Sequence, residues 1–386
     1  MRILIIHTSY KIRGGEDSVV NNEIDLLRSA GNDVDILNFT NSGNTLLKLL
    51  QLPFNYSSYR ETKKAINRFK PDVVHIHNLH FGGSTSVIYA IKKCGVPIVV
   101  TLHNYRMLCP SGTLFFDDKL FTSSLNKMLP IEAIKKGVYQ NSKSITLWLS
   151  IVGAINQIAR TWEIPDRYIV LGNGAKDIFL ESKYSHLADK MKTKPNFCFP
   201  FPEKQKETGG YYLYVGRLSP EKGIYTILNA FSKTDLSLKI IGSGPLQQEI
   251  KKYSRKFKNI EFLGIKDKDE VYSLISGATA IVFSSMWYET FGMVIIEAFA
   301  CCTPVIASSI GEAKNLVNDS VNGLLFEAGN ENDLLEKLLY YQALPIADKR
   351  LFQKNALKTY QENYTPEINL KQLIDLYQEL FDKSAC

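Results

Sequence analysis

The sequence lacks long hydrophobic runs and any recognisable arrangement of its cysteines. The longest apolar stretch, Ile145 to Ile155, is interrupted by Ser150 and falls well short of the ~20 residues that a membrane-spanning helix needs. The six cysteines form no Cys-x-x-Cys pair and no cysteine–histidine cluster, which argues against the usual zinc motifs and against a disulfide framework. We therefore expect free thiols in a reducing compartment.

The start of the sequence also lacks the pattern of a secretory signal. Met1 runs directly into the apolar segment RILIIH, without a basic region and a cleavage site. Together with the free thiols, this predicts a cytoplasmic protein. The composition is that of an ordinary globular chain, with 386 residues, 45% of them hydrophobic and 22% charged, and this length favours two domains over one.

Positive charge is concentrated in the N-terminal half. Residues 1–195 contain 25 Lys or Arg and 16 Asp or Glu, giving +9, whereas the remaining 21 and 23 give −2, for a total of +7. This excess favours an anionic substrate or surface. No nucleic-acid-binding motif is present, whereas an anionic membrane leaflet or a pyrophosphate-linked acceptor fits equally well. Uneven surface charge without a function is the alternative.

Residues 45–70 combine leucines with a basic face. Apolar and basic side chains follow each other there: Leu46, Leu47, Leu49, Leu50, Leu52 and Phe54, then Arg60, Lys63, Lys64, Arg68 and Lys70. Such a composition is typical of a segment that lies in a membrane interface. On this interpretation, the segment contacts the inner face of the cell membrane peripherally. A core helix followed by a solvated helix explains the same pattern, so both interpretations stay open.

The order of apolar strands and amphipathic helices predicts a doubly wound α/β fold. RILIIH is typical of a parallel strand, the segment from Asp17 to Ala30 of a helix, and residues 34–39 of the next strand. Gly14 and Gly15 occupy the first strand-to-helix junction, where such sheets bind ligands, although a plain tight turn explains this glycine pair equally well. The pattern stops in a linker, residues 196–210, and restarts at residue 211. We predict Rossmann-like domains over residues 1–195 and 211–365, and a helix over 366–386 that returns to the first domain.

His103 is the leading histidine candidate, because it stands at the carboxyl end of the predicted strand 97–104. His77 is the second candidate, and His75 and His80 compete with both. The loop over residues 104–121 is long and aromatic, which favours a packed binding loop. Two helices, over about 126–140 and 143–160, are expected after it.

Residues 281–308, with the sequence IVFSSMWYETFGMVIIEAFACCTPVIAS, are predicted to form a strand, a loop, a helix and a strand. Glu289 and Glu297 bracket the point at which the loop becomes the helix, and Gly292 lets a ligand approach the backbone. A helix N-terminus attracts phosphate, because its first N–H groups are unpaired and its dipole is positive there. This segment therefore predicts a site for a nucleotide diphosphate and the sugar attached to it.

Two glycine-containing loops earlier in the same half support that site. In GRLSPEKG, residues 216–223, Arg217 and Lys222 flank a predicted strand-to-helix turn, and two cations there suit a diphosphate. GSGP, residues 242–245, follows the next strand, although it is not the full dinucleotide-binding fingerprint.

Five segments together make the chain resemble a known family: the Gly14-Gly15 loop, TLHN at 101–104, GRLSPEKG, GSGP, and YETFGMVIIEAFACCTPVIAS at 288–308. In this order they resemble the retaining glycosyltransferases of family 4, and Glu289 and Glu297 match the family's Glu-x7-Glu pattern. The loop HNYRMLCPSG also resembles a subgroup that builds bacterial surface polysaccharides, such as capsule and lipopolysaccharide O-antigen. The resemblance implies the GT-B fold, in which two Rossmann-like domains face a cleft and the second binds most of the donor.

The resemblance also implies a transfer of sugar from a nucleotide-sugar donor to a glycan or a polyprenyl-diphosphate-linked acceptor. Arg217 and Lys222 would neutralise the donor diphosphate. Glu289 would bind the transferred sugar, and Glu297 would accept hydrogen bonds from ribose hydroxyls. The expected residues are, for catalysis, His103, Arg217, Lys222 and Glu289; for the donor, Gly15, Gly216, Arg217, Lys222, Gly244, Phe291, Gly292, Met293, Val294 and Glu297; and for the acceptor, Gly14, Asn104, Tyr105 and Arg106.

No metal and no cofactor are expected, because cations and a helix N-terminus already face the charge that develops on the leaving diphosphate. The nearest relatives of an Asp-x-Asp motif, Asp117-Asp118 and Asp267-Lys268-Asp269, are interpreted as a solvated turn and a helix start. UDP is the default donor nucleotide, although GDP and ADP sugars suit the same site. Cys302 departs from the family, which commonly has glycine there, so the turn after the helix is expected to differ slightly.

Two other functions stay open. One is a nucleotide-sugar epimerase of the same fold, which would release epimerised donor without an acceptor. The other is a non-catalytic nucleotide-sugar-binding subunit, against which the intact residues at every motif argue.

Overall fold

A computed structural model describes residues 1–9, 15–41, 45–201 and 209–384. Gly14 and residues 202–208 of the predicted linker therefore lie outside the described residues. The chain divides into two compact units. Unit 1 comprises Met1–Leu114, Phe121–Pro195 and Asn369–Cys386, and unit 2 comprises Phe115–Leu120 and Asn196–Ile368.

Unit 1 contains a parallel sheet of six strands: β1 (Arg2–Ser9), β2 (Asp33–Thr40), β3 (Val73–Ile76), β4 (Ile98–Leu102), β7 (Arg167–Val170) and β8 (Met191–Thr193). Their order is β2-β1-β3-β4-β7-β8, and Ile3 of β1 lies opposite both Val34 and Val73. β3 and β4 are buried along their whole length, which explains their continuous apolar and β-branched sequences. A short antiparallel hairpin, β5 (Phe115–Phe116) and β6 (Lys119–Leu120), is assigned to unit 2.

The helices of unit 1 are α1 (Gly15–Ser29), α2 (Thr45–Gln51), α3 (Tyr56–Phe69), α4 (Ser86–Cys94), α5 (Ile131–Lys136), α6 (Lys143–Ile158), α7 (Asn173–Leu180) and α15 (Pro366–Ser384), with 3-10 turns at Thr161–Glu163 and Ser185–Lys190. Asn55 caps α3, because its side chain accepts from the N–H groups of Ser57 and Ser58. Gly95 ends α4 in the left-handed conformation, with φ 70°.

Unit 2 contains a second parallel sheet: β9 (Tyr211–Val215), β10 (Ser237–Ile241), β11 (Ile260–Gly264), β12 (Ala280–Phe283), β13 (Val305–Ser308) and β14 (Gly323–Phe326), in the order β11-β10-β9-β12-β13-β14. Its helices are α8 (Ile224–Phe231), α9 (Gln247–Lys256), α10 (Lys268–Ser276), α11 (Met293–Ala300), α12 (Ala313–Leu316), α13 (Glu331–Ala343) and α14 (Ile346–Asn363), with a 3-10 turn at Pro220–Lys222. Phe231, Leu238 and Phe326 belong to the core on one face of the sheet.

The predicted α/β fold with two Rossmann-like sheets is confirmed, and so is the return of the C-terminal helix to the first sheet. In α15 the Tyr377 hydroxyl lies 2.7 Å from His75 Nδ1, and Glu379 Oε2 lies 3.6 Å from Arg167 Nη2. None of the helices in the described residues is both long and apolar enough to cross a membrane.

One local prediction is wrong and one is confirmed. The helix expected over 126–140 is only α5, because Pro130 precedes it and Gly137, with φ 66°, ends it. Asp117 and Asp118 are exposed, with φ 53° and 55°, and form the turn of the β5–β6 hairpin, as the interpretation of a solvated turn requires.

The turn after α11 differs from its prediction. Cys302 adopts φ 56°, so the left-handed conformation that favours glycine is kept despite the cysteine. Cys302 N donates to Phe299 O at 3.1 Å and Thr303 N to Ala298 O at 2.8 Å, which are the two hydrogen bonds of a Schellman motif. The expected change of the turn is therefore wrong, and the backbone is strained instead.

Candidate functional site

Each unit has a position in its sheet where the crossover connections leave in opposite directions. In such sheets, ligands bind beside this position at the carboxyl ends of the strands. In unit 2, β9 and β12 are neighbours there, and they are followed by GRLSPEKG and by the loop 284–292. In unit 1, β1 and β3 are neighbours, with His77 just after β3 and His103 just after β4.

Two predicted catalytic residues of unit 2 form an ion pair with each other. The Lys222 ammonium donates to Glu289 Oε1, and Ser285 Oγ donates to the same oxygen at 2.5 Å. Lys222 Nζ also lies 5.3 Å from the centre of the Trp287 ring. The two side chains are 22% and 13% exposed, so their attraction is stronger than on an open surface while a ligand can still reach them. The structure thus joins Lys222 and Glu289 into one charged group.

The backbones of the two loops that carry this group are joined as well. Ser284 Oγ donates to Lys222 O at 2.7 Å, and Met286 N donates to Glu221 O at 2.8 Å. Gly223 has φ 67°, and a Cβ at this position would lie 2.0 Å from Ser284 O. Only glycine fits so close to another backbone, so the sequence at Gly223 fixes the distance between the loops.

GSGP supports the loop that contains Gly216 and Arg217. Leu218 N donates to Ser243 O at 2.9 Å, and a Cβ at Gly244 would lie 2.4 Å from Leu218 O. Gly244 therefore serves the close packing of these loops, and its contact with a donor stays a prediction. The Arg217 side chain is exposed, while its carbonyl oxygen accepts from the Tyr214 hydroxyl at 2.8 Å. The Arg217 backbone is thus held in place, while its long side chain carries a positive charge into solvent.

The helix start lies where the sequence predicts it. α11 begins at Met293 after Gly292, which has no side chain with which to cap the first N–H groups. Met293 and Val294 are partly buried in the first turn. Phe291 is buried against Tyr364, with the ring centres 6.1 Å apart, so its side chain anchors the loop and only its backbone is placed to bind a ligand.

Glu297 lies farther along α11 in a desolvated position. Burial raises the pKa of its carboxyl group to about 7, although the charge of Lys268 acts in the opposite direction. A carboxyl group with this pKa is about half protonated at pH 7 and changes its charge readily when a ligand binds. Burial and the charge of Glu297 raise the pKa of the Cys198 thiol, so this buried thiol lies near the Glu297 carboxyl group.

In unit 1 the two leading histidine candidates contact each other. His77 Nδ1 lies 3.0 Å from His103 Nε2, in hydrogen-bond geometry, and the rings are stacked. Burial and the neighbouring His75 lower the pKa of His77 to about 4. Burial and His77 also lower the pKa of His103 well below its usual value. Both imidazoles are therefore neutral near pH 7, so that one ring must donate and the other accept.

Behind these histidines lies a buried charge network, which we name the Glu23 network: Glu23, His75, His77 and Lys194. Glu23 Oε1 is 3.1 Å from both His75 Nδ1 and His77 Nε2, and Lys194 Nζ is 3.3 Å from Glu23 Oε2. Burial alone would raise the pKa of Glu23, but Lys194 and the histidines hold it well below its usual range. Glu23 is thus a buried carboxylate beside the neutral imidazole of His77.

The side-chain ligand atoms of Glu23, His75 and His77 lie within 4.8 Å of one another, which is close enough for a metal ion. His75 contacts the Tyr377 hydroxyl through Nδ1 and the Thr101 hydroxyl through Nε2, each at 2.7 Å. Lys194 already supplies the positive charge that Glu23 requires, and an ammonium ion repels a metal cation. The donor set therefore fits a structural charge network, and we assign it no metal.

A cavity of about 180 Å³ adjoins His103 within unit 1. Most of its lining is apolar, and its polar members are His77, Asn78, His80, Ser84, Thr85, Thr101, His103, Asn104, Arg106, Ser150, Asn156 and Lys183. Asn104 Oδ1 accepts from Arg106 N at 3.1 Å, which fixes the turn after β4. Two predicted acceptor residues, Asn104 and Arg106, are therefore brought to the same cavity as His103.

Another predicted acceptor residue, Tyr105, does not line this cavity. Its side chain is 1% exposed and packs against Phe179, and its contact with an acceptor stays a prediction. It is buried because Tyr105 N donates to Gly112 O and turns the loop back on itself. Gly14 lies outside the described residues, and Gly15 is the exposed first residue of α1.

The sequence did not indicate Glu23 and Lys194. Glu23 occurs in an amphipathic helix, where a carboxylate normally faces solvent, and Lys194 lies in a segment without periodicity. Only tertiary contacts of α1 with β3 and with the residue that follows β8 bring them together, so no local pattern could have found them.

Known proteins resemble both halves of the chain. Residues 13–130 match the family described as Glycosyltransferase Family 4, and residues 198–359 match that described as Glycosyl transferases group 1. An uncharacterised glycosyltransferase of Methanocaldococcus jannaschii is 28% identical over 301 residues, which are 76% of this chain and 72% of the relative.

A Campylobacter jejuni relative is 26% identical over 313 residues, covering 77% of this chain and 73% of the relative. It is an N-acetylgalactosaminyltransferase that acts on an N-acetylgalactosamine-N,N'-diacetylbacillosaminyl-diphospho-undecaprenol. Among solved structures, Anabaena HepE in complex with UDP matches with a TM-score of 0.68 at 16% identity, covering 98% of this chain and 100% of that one. The last comparison shows the fold alone.

Proposed function

Because the chain belongs to glycosyltransferase family 4, we propose that it transfers a sugar from a nucleotide-sugar donor, with retention of configuration, to a glycan or lipid-linked acceptor. The observation that carries this proposal is the Lys222–Glu289 group at the edge of the second sheet, beside Arg217 and the start of α11. The acceptor loop after His103 supports a role in surface polysaccharide synthesis, as does the diphospho-undecaprenol acceptor of the Campylobacter relative.

The proposed chemistry follows from where negative charge develops. When the sugar leaves its donor, charge accumulates on the diphosphate, and preorganised cations stabilise it. Lys222 has three N–H groups, so it can keep Glu289 and also donate to a phosphate oxygen. Arg217 and the first N–H groups of α11 supply further donors. These groups provide the positive charge without a metal, and we therefore expect EDTA to leave turnover unchanged.

Glu289 is oriented for the sugar. Both of its contacts, with Lys222 and Ser285, use Oε1, so Oε2 takes no part in them. A carboxylate held in this way can accept from a sugar hydroxyl or stabilise positive charge at the anomeric carbon. We propose a front-face substitution or a short-lived ion pair, in which the departing phosphate helps to deprotonate the acceptor hydroxyl. Glu297 would accept from the ribose hydroxyls, and His103 would contact the sugar.

Two variants test the site in a transfer assay with the purified chain. Lys222→Ala removes the cation beside the leaving group, and we expect kcat to fall ~100- to 1,000-fold. Glu289→Gln keeps the shape but removes the charge, and we expect a loss of similar size. The matched control is Lys252→Ala, which breaks only a surface ion pair with Glu249. Unchanged turnover in both site variants would overturn the site assignment.

The donor is proposed by default as a UDP sugar. A thermal-shift screen with UDP, GDP and ADP sugars tests this, because a ligand at 100-fold its dissociation constant adds ~2.7 kcal/mol of stability. Epimerised donor released without an acceptor would favour the epimerase instead. Donor binding without turnover, in the presence of lipid-linked acceptors, would favour the non-catalytic subunit.

We also propose that the chain works in the cytoplasm at the inner face of the membrane. Leu47, Leu50 and Phe54 are 56%, 60% and 48% exposed, and the basic residues of α3 follow them directly. Exposed apolar residues beside cations suit an anionic lipid surface. Sedimentation with neutral and anionic vesicles tests this, and equal binding to both, or none, contradicts it.

A further inference from the structure

The cavity beside His103 is lined by a cation, Arg106, that has two unsatisfied nitrogens in the part of the chain that the structure describes. Arg106 lines this cavity, and its Nε and Nη1 atoms are buried with no hydrogen-bond partner among the described residues. Gly112, with φ 75°, lies against the guanidinium, where a Cβ would be 3.3 Å from Arg106 Cζ. Burying two guanidinium N–H groups without acceptors is unfavourable, so Arg106 is held in a position that a bound anion would stabilise.

A second unsatisfied group lies beside Arg106. His80 Nε2 is buried with no hydrogen-bond partner among the described residues, and His80 also lines the cavity. Burial and the charge of Arg106 lower the pKa of His80 well below its usual value, so it is a neutral hydrogen-bonding group near pH 7. Arg106 and His80 together form a polar corner with one net positive charge.

Most of the remaining lining is apolar, and one of its apolar residues is exposed at the surface of unit 1. Leu52, Leu149 and Val152 form part of the wall, and Met128, which lines the same cavity, is 48% exposed. Trp148 Nε1 donates to Leu49 O at 2.7 Å, which attaches α2 and its exposed leucines to α6. An apolar path thus leads from the polar corner to the surface of unit 1.

We propose that this cavity binds an amphiphilic acceptor, in which a phosphate at Arg106 is joined directly to a hydrocarbon chain. A volume of about 180 Å³ is slightly more than the ~150 Å³ of a cavity that admits benzene, so it encloses only the beginning of such a chain. The remainder follows the exposed apolar residues.

This inference rests on the proposed function and narrows its acceptor to one whose sugar hydroxyl is carried on a lipid phosphate. Farnesyl phosphate is a suitable probe of the lipid-phosphate part, and farnesol and inorganic phosphate each contain one half of its chemistry. Trp162 lines the cavity, so its fluorescence reports on binding in the full chain. We expect farnesyl phosphate to bind at least 10-fold more tightly than either half.

Arg106→Gln should weaken farnesyl phosphate ~10- to 100-fold, because a hydrogen bond to a charged group contributes ~1.5–3 kcal/mol. Arg106→Lys, which keeps the charge, should recover part of the loss, and it serves as the folded variant if Arg106→Gln is unstable. The matched control is Arg160→Gln in the same unit, an exposed residue paired with Glu163. It should bind farnesyl phosphate like the unmodified chain.

The outcomes separate this inference from the proposed function. Equal binding of farnesyl phosphate and inorganic phosphate would make the cavity a simple anion site and overturn the inference. Equal binding of farnesol, or undiminished binding of farnesyl phosphate by Arg106→Gln, would overturn it as well. Nucleotide binding is measured in the same samples. If UDP, GDP and ADP sugars all fail to bind while farnesyl phosphate binds, the donor part of the proposed function is wrong and the lipid-phosphate site stands.

Discussion

The carboxyl edges of the two sheets share one fold but arrange their charges in opposite ways. In unit 1, Glu23 and Lys194 are 3% exposed each and lie behind neutral histidines. In unit 2, Lys222 and Glu289 are also paired, but they are 22% and 13% exposed, and Arg217 beside them is open to solvent. The same βαβ geometry therefore supports one buried charge network and one accessible charged group.

The difference indicates what each edge is for. A group that must bind and release a diphosphate has to exchange water for phosphate, so it cannot be fully desolvated beforehand. A network that only orients His77 and His103 can be buried, where its geometry is fixed and its histidines stay neutral. Burial at the first edge thus favours a positioning role, and exposure at the second favours ligand binding.

The largest expected effect comes from breaking the buried pair. Glu23→Gln leaves Lys194 buried without a counter-charge, and we expect a loss of ~3–5 kcal/mol in the free energy of unfolding. Glu289→Gln, in the accessible pair, should cost only ~1 kcal/mol. Urea denaturation measures both, and hydrogen exchange over β1–β3 and β9–β12 assigns each loss to its unit. The double variant Glu23→Gln, Lys194→Met should recover part of the lost stability, because no buried charge is then left unpaired. A smaller loss of stability for Glu23→Gln than for Glu289→Gln would contradict the contrast between the buried and the accessible pair.

The two units should also respond to pH in opposite directions. The pKa of His77 falls from 6.5 to about 4 on folding, so the unfolded chain binds the proton more tightly and unit 1 loses stability as the pH drops from 6.5 to 4. The pKa of Glu297 rises from 4.5 to about 7, so the folded chain binds the proton more tightly and unit 2 loses stability as the pH rises from 4.5 to 7. Each shift corresponds to roughly 3 kcal/mol.

Hydrogen exchange at pH 5 and pH 7 measures this divergence within one sample. Glu297→Gln should remove most of the pH dependence of β9–β12 and leave that of β1–β4 unchanged. Parallel pH dependence in both units would contradict the assignment of either titrating group.

The sequence predicts the second edge better than the first, for a physical reason. Arg217, Lys222, Glu289 and Glu297 stand in loops and at a helix start directly after strands, so local order along the chain places them at one edge. The Glu23 network depends on contacts between residues far apart in the chain, since the residue numbers of Glu23 and Lys194 differ by 171. No local pattern encodes such a contact.

Local sequence also does not indicate which other side chain a charged residue pairs with. The sequence predicts Arg217 and Lys222 as two separate cations for a diphosphate, but the structure pairs Lys222 with Glu289. Tyr105 occurs in a loop rich in apparent binding residues, yet its backbone turn buries it. In both cases the identity of the loop was predictable, whereas the direction of one side chain was decided by tertiary packing.

A smaller effect concerns the protonation of Glu297 during nucleotide binding. If the charged carboxylate accepts from ribose hydroxyls, nucleotide binding at pH 7 should release about 0.5 proton, because the group is half protonated beforehand. Calorimetry in two buffers with different ionisation enthalpies measures this release. Glu297→Gln should abolish it and weaken binding ~10-fold, whereas the exposed Glu261→Gln should change neither. Proton uptake would show that the protonated form binds.

The smallest effect tests how each unit ends a helix at its sheet. α4 ends with Gly95 at φ 70°, whereas α11 is followed by Cys302 at φ 56°, where a side chain is strained. Cys302→Gly should therefore stabilise unit 2, and Gly95→Cys should destabilise unit 1, each by ~1 kcal/mol. Nothing lies within 4 Å of a Cβ at Gly95, so backbone strain alone decides that variant. If Gly95→Cys costs ~1 kcal/mol but Cys302→Gly gains nothing, the partly buried Cys302 side chain must offset its own strain by packing, and the cysteine is then a stabilising residue of the α11 turn.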